Sequence, residues 1–356
     1  MRYWRSLDGV RAFAVLVVFA GHVRWTPLHG GFIGVDVFFV LSGFLITGLL
    51  LREQKAEGDV SLRAFYTRRF LRLYPALVFF CIAVIPMAAV SKVVDVRQTA
   101  IQAGAALVYS FNILISFKHW PSFIGHLWSL SVEEQYYIVW APLAALLFSR
   151  LGVGRRMGRC LAAFVVGGWC VLALVAAVWG SGGVNLAYFH LHGHLVELFT
   201  GGLLAWVVLA GVPDTLRRVV SNPLVPLAAV GVLLAAARTV KTVSSPLMLV
   251  VYPVLALTSA TLILHLVATE TGWANRVFGH PVARWLGKRS YAFYLWHLPI
   301  LDLVEEHTSH MKLAIAVALP LSLLAAELSW RLVETPALRR KSRFQRVPTG
   351  QAPATA

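Results

Sequence analysis

The sequence predicts an all-α, polytopic membrane bundle of about ten transmembrane helices with both termini on the cytoplasmic side. Three observations carry this expectation. The 356 residues are 58% hydrophobic and only 13% charged, against about 45–50% and 25% in soluble domains, and mean hydropathy is +0.71. Apolar runs near the ~20 residues needed to cross hydrocarbon recur along the chain. The basic residues, which give a net charge of +16, fall in short clusters between those runs. That is the positive-inside pattern of a multi-pass protein, not a nucleic-acid surface.

The first apolar run has no small-residue cleavage site and leads into a second span, so it does not read as a cleavable signal. The three cysteines, Cys81, Cys160 and Cys170, are odd in number and lack CxxC spacing. They support neither a disulfide framework nor a zinc site, and read as small apolar side chains at helix packing surfaces.

In chain order, the candidate spans cover residues 10–23, 32–51, 73–91, 129–148, 161–180, 193–210, 223–238, 246–267, 291–304 and 313–332. An apolar stretch at 101–116 is a candidate eleventh, and loop charge decides against it. Without it, the N-terminus, the loops 52–72, 149–160, 211–222 and 268–290, and the C-terminal tail share one face. The other face holds Arg24, Lys92, Arg97, Lys118, Arg238, Lys241 and Lys312, leaving 25 of the 32 Lys and Arg on the first. That first face is assigned to the cytoplasm of a cell (inner or plasma) membrane. Were 101–116 a span, Arg150, Arg155, Arg156 and Arg159 would be forced outside. The segment 92–128 is therefore expected to be extracytoplasmic or re-entrant, tolerable at membrane depth when shielded by protein or water. Residues 1–336 form one membrane domain. Residues 337–356 carry Arg339, Arg340, Lys341, Arg343 and Arg346 before a Pro-, Thr-, Gly- and Ala-rich end, and read as a disordered basic cytoplasmic tail against anionic lipid.

Ionisable groups inside a span are costly, and so mark candidate functional positions. The first span reads LDGVRAFAVLVVFAGH, with Arg11 at its cytoplasmic end and His22 in its outer half. Their spacing is about 16 Å along a helix axis at ~1.5 Å per residue. Snorkelling of Arg11 to phosphates and an interfacial His22 would also explain the pair. The second span opens GVDVFFVLSGFLI, with Asp36 in its first turn at a depth similar to His22. A carboxylate beside an imidazole fixes its tautomer and favours the imidazolium that a general base becomes. Ser42 and Gly43 allow close helix approach or passage of a slender ligand.

The third span is introduced by FYTRRFLRLYPA, which puts Arg68, Arg69 and Arg72 at the cytoplasmic face. Positive-inside topology alone would account for them, whereas as forked donors they would clamp phosphate. Coenzyme A has an anionic head and a long slender arm ending in a thioester. An arginine cluster for the head and a histidine ~16 Å deeper suit an acyl-CoA lying along a helix. The histidine would deprotonate an acceptor hydroxyl or carry the acyl group itself. In HLWSLSVEEQYYIVWAP, Glu133 and Glu134 are adjacent, about 100° apart on a helix, so one at most is expected to face the site, and Glu133 is preferred.

These segments together resemble the acyltransferase-3 family of membrane acyltransferases. LDGVRA with His22, GVDVFFVLSGFLI, YTRRFLRLYPA, WSLSVEEQYY, SYAFYLWHLPI and the terminal VETPALRR occur in the family's order from Leu7 to about Arg340. The resemblance implies a ten-helix bundle transferring acyl groups, commonly acetyl, from cytoplasmic acyl-CoA to acceptors that are often extracytoplasmic carbohydrates. It implies that Arg11 and His22 are essential, with His22 catalytic. Arg69 and Arg72 match the family's Arg-x-x-Arg at the donor end, Asp36 and Glu133 its acidic positions, and Tyr294 and His297 its penultimate-helix motif. Some members carry an esterase-like domain after the bundle; none is expected here, so a relay within one polypeptide is not expected either.

His126 lies beside the proposed site and is a candidate acceptor contact. His190, His192 and His194 form HLHGH, whose ends have the i, i+4 spacing of a metal pair, but no third ligand is apparent and no metal is expected. The aromatic pairs and the twelve Trp read as lipid belt and packing. No GxSxG elbow, phosphate loop, HExxH or His-x4-Asp box occurs. The reading is an O-acyltransferase acting on a hydroxyl of a carbohydrate or of a glycosylated, macrolide-type metabolite. A transporter with an intramembrane charge relay is the alternative, and the inverted repeats and paired broken helices that would favour it are not seen. A lipid-binding scaffold would not need His22 and Asp36 at matched depth.

Overall fold

A computed structural model describes residues 3–24, 26–118, 120–179, 187–240, 245–308, 310–341 and 344, and among them every regular element is helical. The chain opens with α1 (Arg5–His22), α2 (Ile33–Glu57), α3 (Leu62–Val90), the short α4 (Val96–Leu107) and α5 (Phe111–Phe117), and α6 (Trp128–Leu151). They are followed by α7 (Arg155–Trp179), α8 (Leu195–Ala210), α9 (Asp214–Val220), α10 (Val225–Thr239) and α11 (Ser245–Thr269). After α12 (Trp273–Phe278) and α13 (Pro281–Lys288) come α14 (Ser290–Glu305) and α15 (Met311–Ser329), then a π-helical turn, Trp330–Glu334, and α16 (Thr335–Lys341).

Among the described residues, six helices are long and apolar enough to cross a membrane, and a seventh if α9 and α10, bent by 66°, are one span. The expected spans at 10–23, 129–148 and 291–304 are also helices, but fall short of that measure. α1 carries Arg5, Asp8 and Arg11, α6 carries Glu133, Glu134 and Gln135, and α14 is 16 residues long. These three are the helices that bear the candidate site. Polar residues are tolerable there because they face protein instead of lipid. The stretch 101–116 is split between α4 and α5 by Tyr109 at φ 53°, and neither piece is long enough to cross. Helix continues past the boundary at 336 to Lys341; beyond it only Phe344 is described, so the rest of the expected tail lies outside the described residues.

α2 is central. In its most apolar stretch 78% of residues are buried, against 22% for α7 and 28% for α15, whose Leu174, Val178, Leu321 and Leu324 face outward. Glycine sets how closely α2 is enclosed. A Cβ on Gly34 would lie 2.3 Å from the Ala14 carbonyl oxygen of α1, and one on Gly43 1.9 Å from that of Leu198 on α8. The two helices therefore clasp α2 from different sides, at separations no larger residue would permit.

Candidate active site

Arg11 and His22 are separated by eleven positions, which at ~100° each is three turns with about 20° left over. Both therefore look out from one face of α1, at opposite ends. At the inner end, Arg11 Nη1 donates to Asp8 Oδ1 at 2.9 Å, and the Tyr3 hydroxyl binds the other carboxylate oxygen. The guanidinium is held while its side chain remains 18% exposed.

At the outer end three imidazoles converge. His22 Nδ1 lies 2.9 Å from the Val18 carbonyl and 3.4 Å from His297 Nε2. A carbonyl only accepts, so the hydrogen bonds assign the Nδ1 proton to His22 and leave its Nε2 lone pair unused. His297, fully buried, is oriented in the same way by the Tyr294 carbonyl at 2.7 Å. His126 stacks edge-on 4.9 Å from the His297 ring, and neither of its nitrogens has a hydrogen-bond partner. Its carbonyl accepts from the Tyr294 hydroxyl at 2.7 Å, which also bonds Ser129 Oγ at 2.6 Å. His22, His126 and Tyr294 share a cavity of about 170 Å³ with His29, Phe32, Trp128 and Tyr188.

The arginines divide. Arg69 Cζ sits 3.9 Å over the Tyr137 ring, and Nη2 is 3.8 Å from Glu133 Oε1, with Nε unpartnered. Arg72 is within electrostatic range of Arg11 and Arg69, so cations from α1 and α3 gather at the inner end. Arg68, expected to join them, is turned one residue (about 100°) away. It pairs with Glu53 at 3.0 Å and donates to the Phe344 carbonyl at 2.7 Å, fully enclosed. Arg68 is thus a structural tie and not part of the donor cluster. Removing one partner of a buried pair costs about 3–5 kcal/mol. Arg68→Ala should therefore lower the detergent-solubilised melting temperature markedly while leaving the KM for an acyl donor unchanged, checked by thermal denaturation beside initial rates.

Asp36 also departs from expectation, because it does not face His22. Gly34 turns toward α1, and two residues on, about 200° around the helix, Asp36 points the other way. Its carboxylate lies 3.7 Å from His194 Nδ1. Glu133 likewise meets no histidine; it accepts from the Ser42 and Tyr137 hydroxyls and faces Arg69. Glu134, expected to point elsewhere, is buried and also within electrostatic range of Arg69. His190 and His192 stack 5.7 Å apart, while His194 alone turns inward.

A stripe on α6 joins the two ends. Ser129, Glu133 and Tyr137 recur every four residues on one face, spanning about 12 Å, and contact Tyr294, Ser42 and Arg69 in turn. The i, i+4, i+8 spacing of Ser129, Glu133 and Tyr137 in SLSVEEQYY carries this signal, and the sequence reading used only its glutamates. Trp128, expected with the other Trp to serve lipid belt and packing, lies instead in the cavity wall beside Tyr188.

The helices thus place an arginine cluster at one end, a histidine cluster at the other and a polar stripe between them. The family described as "Acyltransferase domain" (acyltransferase-3) matches residues 4–330, and the chain belongs to it. It is 31% identical over 359 residues to the peptidoglycan O-acetyltransferase OatA of Listeria monocytogenes serovar 1/2a, covering 94% of this chain and 56% of that protein. It is also 31% identical over 353 residues to the O-acetyltransferase OatA of Staphylococcus aureus strain NCTC 8325, covering 96% and 58%. The chain thus spans a little over half the length of these curated relatives. No solved structure is a significant match.

Proposed function

We propose that the protein transfers a short acyl group, acetyl in the first instance, from cytoplasmic acyl-CoA to a hydroxyl of a carbohydrate or glycosylated metabolite at the outer end of the bundle, in a cell membrane. The observation that carries this reading is the placement of Arg11 and His22 on one face of α1, each within a cluster of its own kind. Arg11, Arg69 and Arg72 would hold the phosphates of coenzyme A, with the pantetheine arm along the Ser129–Glu133–Tyr137 stripe and the thioester at the histidines. His22 Nε2 takes the acceptor's hydroxyl proton as the oxygen attacks the thioester carbonyl. The tetrahedral intermediate collapses to the ester, and the departing thiolate of CoA recovers the proton from His22. His297 and the Val18 carbonyl orient the base. Glu133, bonded to Ser42 and Tyr137, positions Arg69.

The acceptor class is supported by the cavity lining, in which the aromatic Phe32, Trp128 and Tyr188 surround polar His29 and His126, and by the peptidoglycan named for one relative. Purified protein given acetyl-CoA and hydroxyl-bearing glycans should release free CoA only when a competent acceptor is present. Hydrolysis-level release with every acceptor, together with passage of the acceptor through the membrane, would overturn the reading in favour of transport. Trp128→Ala should raise the KM for the acceptor at least several-fold, with little change for acetyl-CoA. The reverse pattern would remove Trp128 from the acceptor side.

A further inference from the structure

A buried polar cluster behind the cavity wall takes no part in the steps above. Asp36 on α2, His194 at the end of the 3-10 turn Leu191–His194, and Glu197 in the first turn of α8 are 2%, 1% and 0% exposed. Asp36 from α2, and His194 and Glu197 three residues apart at the start of α8, offer one ligand atom each within 4.8 Å of one another. His194 Nδ1 stands 3.7 Å from Asp36 Oδ1 and 3.9 Å from Glu197 Oε1, which is beyond hydrogen-bond range. His194 Nδ1, Asp36 Oδ2 and both Glu197 carboxylate oxygens accordingly have no hydrogen-bond partner.

The tautomer sharpens the problem. His194 Nε2 lies 2.9 Å from the Tyr188 carbonyl, so that nitrogen is the donor. A neutral ring then aims its Nδ1 lone pair at two carboxylates, an arrangement that repels unless a cation lies between them. An imidazolium would close to about 2.7–2.9 Å on a carboxylate, and neither separation does so. Donors held about 2.0–2.2 Å from one central ion, at angles near those of a trigonal or tetrahedral site, fall roughly 3.3–3.8 Å apart, close to the two separations that His194 Nδ1 makes. Charge gives the same answer: two carboxylates and a neutral imidazole balance a divalent ion, and a buried charge must be paired or ligated. Tyr252, whose buried hydroxyl is also unpartnered, has its ring 5.1 Å from that of His194.

We propose that Asp36, His194 and Glu197 bind one divalent transition-metal ion, for which Zn²⁺ is the first probe. One nitrogen and two carboxylate oxygens suit zinc or a neighbouring first-row ion. The ion ties α2 to α8. It also fixes a wall of the cavity, because His194 holds the Tyr188 carbonyl and its ring lies 5.4 Å from that of Trp128.

The test uses the full chain, purified without a polyhistidine tag, and reads metal content instead of turnover, so its outcome is independent of the acyl-transfer reading. Elemental analysis should find about one zinc or other first-row ion per chain. EDTA should strip it and lower the melting temperature by several degrees, and Zn²⁺ should restore it. Glu197→Gln should cut bound metal at least about tenfold and make melting insensitive to both reagents, while His190→Ala should keep the full complement. Wild-type protein that holds no metal, takes up neither Zn²⁺ nor Mn²⁺ and melts alike with and without EDTA would overturn the proposal. Undiminished metal in Glu197→Gln would do so equally. If Glu197→Gln does not fold, the wild-type content and melting shift decide.

Discussion

His22→Ala is expected to abolish acyl transfer without loss of folded protein. A positioned general base contributes about 10²–10⁴ in rate, or about 3–5.5 kcal/mol at 1.36 kcal/mol per decade. The residual rate should lie about 10²–10⁴-fold below wild type, or under detection. His22 is half-buried at the end of α1, with one backbone hydrogen bond to Val18. Truncation should therefore leave expression, elution volume and helicity unchanged. Initial CoA release beside those three measurements checks the claim, and a His22→Ala protein turning over at the wild-type rate would remove His22 from the chemistry.

Arg69→Ala combined with Arg72→Ala should raise the KM for acetyl-CoA by one to three orders of magnitude while kcat falls only a few-fold. Hydrogen bonds to charged groups are worth about 1.5–3 kcal/mol each, and here the two guanidiniums act far from the bond that breaks. Acetyl-pantetheine, which lacks the nucleotide and its phosphates, separates this from general damage. The wild-type protein should prefer acetyl-CoA strongly over it, and the double variant should lose most of that preference. Arg68→Ala is the internal control, since Arg68 is buried against Glu53 and should leave the preference intact. An unchanged preference in the double variant would reduce Arg69 and Arg72 to topological charges.

The helical membrane architecture was legible because a membrane chain writes its elements in apolar runs. The span count by length and apolarity is lower than ten because α1 and α6 give up apolar positions to charged and polar residues and α14 is only 16 residues long. The depth of Arg11 and His22 was legible from rise per residue alone. What the sequence could not supply was rotation. Asp36 has the right depth to serve His22, but Gly34 must face α1, and that single close approach turns the carboxylate toward α8. Arg68 and Arg69 are neighbours in a basic run, and one residue of rotation sends the first to Glu53 and the second to Glu133. His297 joined His22 through a contact 275 positions away in the chain, which only the packing of α14 against α1 and α3 reveals. HLHGH suggested a metal pair within one segment, whereas its last histidine instead meets Asp36 and Glu197 from two helices.

The central claim is that α1 measures the distance between a donor end and an acceptor end on opposite faces of the membrane. Proteoliposomes of one orientation, with the accessible face established by cysteine labelling, test it directly when impermeant [¹⁴C]acetyl-CoA and a soluble glycan acceptor are supplied on chosen sides. Labelled ester should form when acetyl-CoA meets the face bearing Arg11, Arg69 and Arg72 and the acceptor meets the face bearing His22 and His126, and not when the two are exchanged. Equal labelling in the exchanged arrangement, or labelling only with both reagents on one side, would contradict it.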